Sequence, residues 1–268
     1  MSVAAPSYDS KIDIGASVRG AYTVVMENAR LVVELAWLPF AILVGAEVLA
    51  LVLGGGGLLG RGLAALVRAG GFLVFGTIFF VRWHRFMLLG ESMPVGLFPP
   101  GWGGFLLAGI KIGLTVFVGF VILSLIAMVP PVFLTGLIAL VGGIALAFAS
   151  ARVSLVFPAA AVERPISLRE GWELMTGNYW RLFACILLCY LPFGIVHYLI
   201  GTVGLGLPWV VWFVFEVIGL AVSFAGMAVI GSLLSEIYRG LEGAAPERRV
   251  PESAARFGRY GSGAAPTR

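Results

Sequence analysis

The sequence predicts an all-α fold: a polytopic membrane helical bundle with six transmembrane helices and short amphipathic interfacial helices. Three observations point there. The chain is 60% hydrophobic and only 12% charged, against about 25% charged in a typical soluble domain, so it has too few charges to coat a globule in water. Its mean hydropathy is +1.00. Its apolar residues come in long unbroken runs, not in the alternating segments of about ten residues that mark a membrane barrel.

The elements follow in order. Residues 1–30 carry Asp9, Lys11, Asp13, Arg19, Glu27 and Arg30 with no cleavable apolar leader, so the first span is expected to target the chain. Val18, Tyr22, Val25 and Met26 fall at helical spacing and predict an amphipathic helix lying on the membrane surface. The first span covers about 31–53, contains Glu34, Pro39 and Glu47, and ends at Gly54–Gly57. The second covers about 63–85, closes at "RWHR", and has Arg68 placed to snorkel toward headgroups. The third covers 105–129, with Lys111 placed to snorkel at its start, and turns at Pro130–Pro131 into the fourth, 132–157. The fifth covers 179–200 and the sixth 208–238. The tail, 239–268, is basic, rich in Gly, Ala and Pro, and expected to be disordered. Its "RFGRYG" superficially resembles an RNA-binding segment, but one copy points to anionic lipid rather than nucleic acid.

Six spans put both termini on one side. Of 18 Lys and Arg, only Arg61 and Arg68 fall in loops on the opposite side, so the termini are expected in the cytoplasm. The partners this implies are membrane lipids, chiefly anionic headgroups.

Between the fourth and fifth spans lies "SLREGWELMTGNYWRL", the one stretch dense in polar and aromatic residues. Ser167 and Glu170 have capping-box spacing. Leu168, Trp172 and Met175 recur on one helical face, with Arg169, Glu170 and Glu173 opposite. Gly177 suits a left-handed stop, Asn178 a cap for the fifth span, and Tyr179 and Trp180 an aromatic belt. The pattern predicts an interfacial helix at 167–176, hinged into the fifth span.

This segment, with Pro158, Glu163, Trp172, Leu174, Gly177, Asn178, Trp180 and Arg181, resembles the signature loop of the bacterial six-helix membrane proteins grouped with the glycerophosphoryl diester phosphodiesterase membrane domain. Met175 stands where that pattern has threonine, and Thr176 follows it. "VRWHRFMLLGE" at 81–91 is similar to the end of their second span. The resemblance implies the six-span fold and a bacterial inner-membrane location. It implies no phosphodiesterase activity, which needs paired histidines and several acids around a metal. Here the two histidines, His84 and His197, are expected near opposite faces, and the only aspartates are Asp9 and Asp13.

No zincin, nucleophile-elbow or paired-aspartate pattern is present, so neither catalysis nor a cofactor or metal is expected. Cys185 and Cys189 read as small packing residues. The candidate sites are intramembrane charges, which are costly and mark function or packing. Glu34 is expected to network with Arg82, Arg152 or Arg181 near the inner face. Glu47, His197 and Glu216 form a candidate relay or ligand site in the outer half. Gly143, Ala147 and Ala151, and Gly219 with Ser223, offer close helix approach. The favoured function is a scaffold or an envelope or lipid-homeostasis factor acting through the interfacial helix. The alternative is a small-solute or lipid transporter using Glu216 and Glu47.

Overall fold

The computed structural model describes residues 11–91, 96–128, 132–204 and 208–244. The regular elements among them are all helical. They are α1 (Ile14–Glu27), α2 (Ala29–Gly54), α3 (Gly57–Gly71), α4 (Thr77–Leu89), α5 (Trp102–Ala127), α6 (Val132–Val153), α7 (Val156–Ala161), α8 (Leu168–Leu174), α9 (Tyr179–Gly204) and α10 (Trp209–Ala244). A π-helical turn, Phe72–Gly76, fuses α3 to α4. Six stretches are long and apolar enough to cross a bilayer: Ala29–Gly54, Gly57–Leu89, Trp102–Ile126, Leu134–Ala161, Tyr179–Val203 and Trp209–Leu241. The expected loose N-terminus at 1–10, the Pro130–Pro131 turn and the basic tail from 245 onward lie outside the described residues.

The spans run longer than their apolar runs suggest, most of all the second and sixth. At 1.5 Å per residue, the 33 residues of Gly57–Leu89 extend about 50 Å and the 36 of α10 about 54 Å, against about 30 Å of hydrocarbon. The surplus collects at one end, here called the charged end. Trp102 Nε1 donates to Thr77 Oγ1 at 3.0 Å, and Phe105 meets Phe80 edge-on, 5.6 Å between centroids. The third span therefore starts alongside α4 from Thr77 to His84, whose ring lies 5.9 Å from Phe105, and the last turn of α4 continues past it.

The packed core is richest toward this end and reaches into the spans, where Leu43 and Phe224 join the cluster of Phe79 and Trp83. Trp83 and Phe79 of α4 and Leu233 and Leu234 of α10 are fully buried, each contributing about 1.5–3 kcal/mol or more. Gly231 lets the two helices approach: a Cβ there would sit 2.7 Å from Trp83 Cδ1. Two cross-helix hydrogen bonds follow, Trp83 Nε1 to Ser232 Oγ at 3.0 Å and His84 Nδ1 with Ser235 Oγ at 2.7 Å. By contrast, the third span's apolar window buries none of its residues. Phe117 and Phe120 on α5 face outward, where hydrocarbon is the natural solvent. The Gly143–Ala147–Ala151 row is not the α5–α6 contact. Gly142 meets Leu123 and Gly119 meets Leu146 instead. Cys185 and Cys189 are free and buried in the core.

The first helix forms as the amphipathic pattern predicts, and its apolar face packs against α9 and α10. Ala21 is fully buried, and Val18, Tyr22 and Val25 pack on the same core. Tyr22 Oη donates to the Cys189 carbonyl at 2.9 Å, and burial pushes the phenol above its ordinary pKa, so it remains a donor. An amphipathic pattern fits a bilayer surface and a helical groove equally well, and here the groove takes the apolar face. Opposite it, Arg19, Thr23, Glu27 and Arg30 form an exposed stripe that ends near Glu34 and the exposed Trp37. From position 41 onward the same face is apolar, the change expected where a helix enters a bilayer.

Gly101 has φ +80, and an added Cβ would lie 2.7 Å from the Ala161 carbonyl oxygen, which also receives Arg85 Nη1 at 3.1 Å. Gly101→Ala is expected to destabilise the protein by about 2–4 kcal/mol. Gly103→Ala, with open space at its Cβ, should stay within about 0.5 kcal/mol of wild type. Unfolding in detergent micelles reads both.

Candidate functional site

Two polar clusters stand at opposite ends of the bundle. At the charged end, α8 has a complete capping box: Glu170 N–H donates to Ser167 Oγ at 3.1 Å, and Ser167 N–H donates to Glu170 Oε2 at 2.6 Å. Gly171 is buried against α7, where a Cβ would meet Val156 Cγ2 at 2.9 Å, so a small residue seats the helix. Met175 is fully buried beneath it. On the outer face Arg169 and Glu173 pair at 2.9 Å, and that hydrogen bond holds the guanidinium above its usual pKa. Gly177 adopts φ +87, which turns the chain into α9.

The residues after this turn hold the N-terminal segment. Asn178 Oδ1 accepts Ile12 N–H at 3.0 Å, and Arg181 Nη1 donates to the Ile12 carbonyl at 2.8 Å. Both backbone groups of Ile12 are thus held by the start of the fifth span. Arg152, at the end of α6, stacks 3.9 Å over the Trp172 ring and lies 5.1 Å from Tyr179. Its Nε donates to the Trp172 carbonyl at 3.2 Å. Trp180 is 60% exposed and packs on Phe148 at 4.4 Å.

Glu34 meets none of Arg82, Arg152 or Arg181, the alternative partners expected for it. Glu34 pairs with Arg30 at 2.8 Å on the exposed stripe. Arg82 Nη2 donates to the Gly96 and Leu97 carbonyls, while Arg152 and Arg181 hold the carbonyls already named. The depth of Glu34 is suitable but its face is not, because Leu35 and Ala36 take the inward positions. The strong ion pair nearby is one that the sequence pattern did not single out. Arg85 meets Glu91 through two bonds of 2.7 Å, a bidentate fork. The available signal was Glu91 just past the Gly90 stop, close enough to fold back on Arg85. Arg82 Nε and His84 Nε2 are buried without a partner among the described residues.

At the far end, α2, α3, α9 and α10 bring together Glu47, Arg68, His197 and Glu216. Arg68 turns toward the first span. Its Nε donates to Glu47 Oε2 at 2.7 Å, and its guanidinium lies 5.8 Å from the Trp212 ring. Glu216 lies within electrostatic reach of Glu47, Arg68 and His197. His197 Nε2 bonds Ser223 Oγ at 3.0 Å, and its ring lies beside Gly219. The Glu–His–Glu grouping therefore has a fourth member, Arg68, whose charge offsets one carboxylate. Chemically this is a compensated cluster of two carboxylates, a guanidinium and an imidazole. Among the described residues no three His, Cys, Asp or Glu side chains converge as metal ligands.

The fold and its six apolar spans define an α-helical multi-pass membrane protein. No family model, curated protein or solved structure matches the chain.

Removing one partner of a sealed ion pair costs about 3–5 kcal/mol. Arg68 is 36% exposed and Glu47 17%, so Arg68→Gln should cost less, about 1–3 kcal/mol. Combining it with Glu47→Gln should restore part of that loss. A double-mutant cycle of unfolding in micelles measures the coupling, and additive losses would show that the pair contributes nothing.

Proposed function

We propose that the chain is a non-catalytic scaffold of the bacterial inner membrane, a factor in envelope or lipid homeostasis working through α8, and that it belongs with the six-helix family it resembles. The observation that carries this reading is the location of specific contacts. The capping box, the left-handed Gly177, the Arg152–Trp172 stack and the double clamp on Ile12 all meet at one interface. The third and fourth spans, in contrast, present bare hydrocarbon-facing surfaces. A helix fixed so closely at a membrane boundary serves as a presented surface. The Lys and Arg distribution supports a cytoplasmic charged end with both termini there, and anionic headgroups are its natural partners.

A second reading is supported by the far-end cluster. Glu47 and Glu216, with Arg68 and His197, form a grouping of the kind that small-solute or lipid transporters use.

Deletion of the gene in its native host separates the two. The scaffold reading expects altered lipid composition or raised detergent sensitivity in the deletion strain. Wild type and Glu47→Gln/Glu216→Gln should restore it, and Trp172→Ala/Gly177→Ala should not, at matched protein levels. Rescue by the α8 variant but not by the carboxylate variant would transfer the case to transport. No phenotype on deletion would sink both.

A further inference from the structure

Between α5, α6 and α8 runs a groove of about 330 Å³ lined by Ile112, Thr115, Leu146, Ala149, Val153 and Trp172. Its size is at the lower end of ligand pockets, about 300–1,000 Å³, suited to a single chain rather than a whole lipid. The walls are almost wholly carbon. They belong to the two spans with the barest outer surfaces, so the groove opens where acyl chains would surround the protein.

Basic residues adjoin the groove, and one of them, Arg169, is paired with Glu173. Lys111 precedes Ile112 and is exposed on α5. Arg169 of α8 reaches the rim. Arg152 precedes the lining Val153 and is half-buried. Four other arginines face a carboxylate: Arg30, Arg68, Arg85 and Arg169 at 2.8, 2.7, 2.7 and 2.9 Å. Arg152 has no carboxylate partner among the described residues. Its Nε is occupied by the Trp172 carbonyl and its plane is fixed by the ring below, which leaves the two terminal nitrogens as an oriented fork. Such a fork matches a phosphate with two parallel hydrogen bonds. Phe148, one turn before Arg152, and Trp180, in tilted contact at 4.4 Å, mark the headgroup level.

We propose that this groove holds one acyl chain of an anionic phospholipid, with the headgroup phosphate on the Arg152 fork and Lys111 and Arg169 flanking it. The proposal rests on the reading of α8 as a membrane-interface helix and names the ligand which that interface selects. α8 then forms the lip of a lipid site, and its cap and its Gly177 turn hold Trp172 in place under the arginine.

The test uses the full chain in nanodiscs made from equal parts phosphatidylglycerol and phosphatidylcholine with identical acyl chains. Lipids retained after release into the gas phase are counted by native mass spectrometry. Wild type should retain phosphatidylglycerol over phosphatidylcholine by about fivefold, the ratio that about 1 kcal/mol gives. Arg152→Gln should bring the ratio to about one in protein that still melts in a single cooperative transition. Ala149→Phe, which fills the groove, should lower retention of both lipids; Val116→Phe serves if that variant does not fold. A wild-type ratio of one, an unchanged ratio in Arg152→Gln, or undiminished retention in the filled groove would overturn the proposal. Displacement of the lipid by inorganic phosphate alone would also overturn it, because the chain would then contribute nothing. A preserved ratio without a deletion phenotype would sink the homeostasis reading and leave the groove. A ratio of one with intact rescue would do the reverse.

Discussion

The close approach of α4 and α10 at Gly231 is the contact on which the rest of the bundle depends. Helices surrounded by hydrocarbon gain nothing from burying apolar side chains against one another, since lipid tails are equally apolar. Burial is worth free energy only where it removes surface from water. The two longest rods therefore extend past the bilayer and fold against each other in the charged layer, with Trp83 and His84 bonded to Ser232 and Ser235. A side chain at position 231 would collide with Trp83 and Phe80, and the interlocked hydrogen bonds would separate.

From that contact the other placements follow. With α4 and α10 joined, α1 lies in the groove between α10 and α9, and its N-terminal backbone is fixed by Asn178 and Arg181. The same residues start the fifth span directly after the α8 hinge, so the position of α8 and the docking of α1 are coupled through a three-residue stretch. The third and fourth spans join this core only at the charged end, through Phe105, Leu155, Ala159, Ala160 and Ala161; beyond it they touch each other through Gly119 and Gly142 and leave their outer faces to lipid. The far end is held separately by the Glu47–Arg68 pair. One end is packed and the other electrostatically compensated, with a lightly packed middle between them.

The number of spans, their order and the interfacial helix were legible because hydrophobic run length and capping spacing are local signals. Ser167, Glu170 and Gly177 declare their roles through neighbours a turn away. The extra lengths of α4 and α10 were not legible, because a helix leaving hydrocarbon becomes polar on one face and looks like a loop or tail. The docking of α1 was hidden for a related reason: its pattern specifies an apolar face but not what covers it. Glu34 shows the remaining gap. Sequence places a charge at a depth along the membrane normal, whereas the rotation of the helix decides its partner, and here rotation turned Glu34 to Arg30 and the water. The partner of Arg68 was hidden likewise, since Glu47 lies across the α2–α3 hairpin and nothing local aims one at the other.

The central claim is that the packed core is concentrated toward the charged end, with α1 outside the hydrocarbon and the bilayer boundary crossing the first rod near Trp37. Spin labels placed singly along one face, at positions 19, 23, 27, 30, 34, 37, 41, 45, 48 and 52, test it through collision with oxygen and with a water-soluble nickel chelate. Labels from 19 to 34 should collide with nickel, those from 41 to 52 with oxygen, and the crossover should fall at 37. Oxygen-dominated collision at 19, 23 and 27 would put α1 in the lipid and contradict the account.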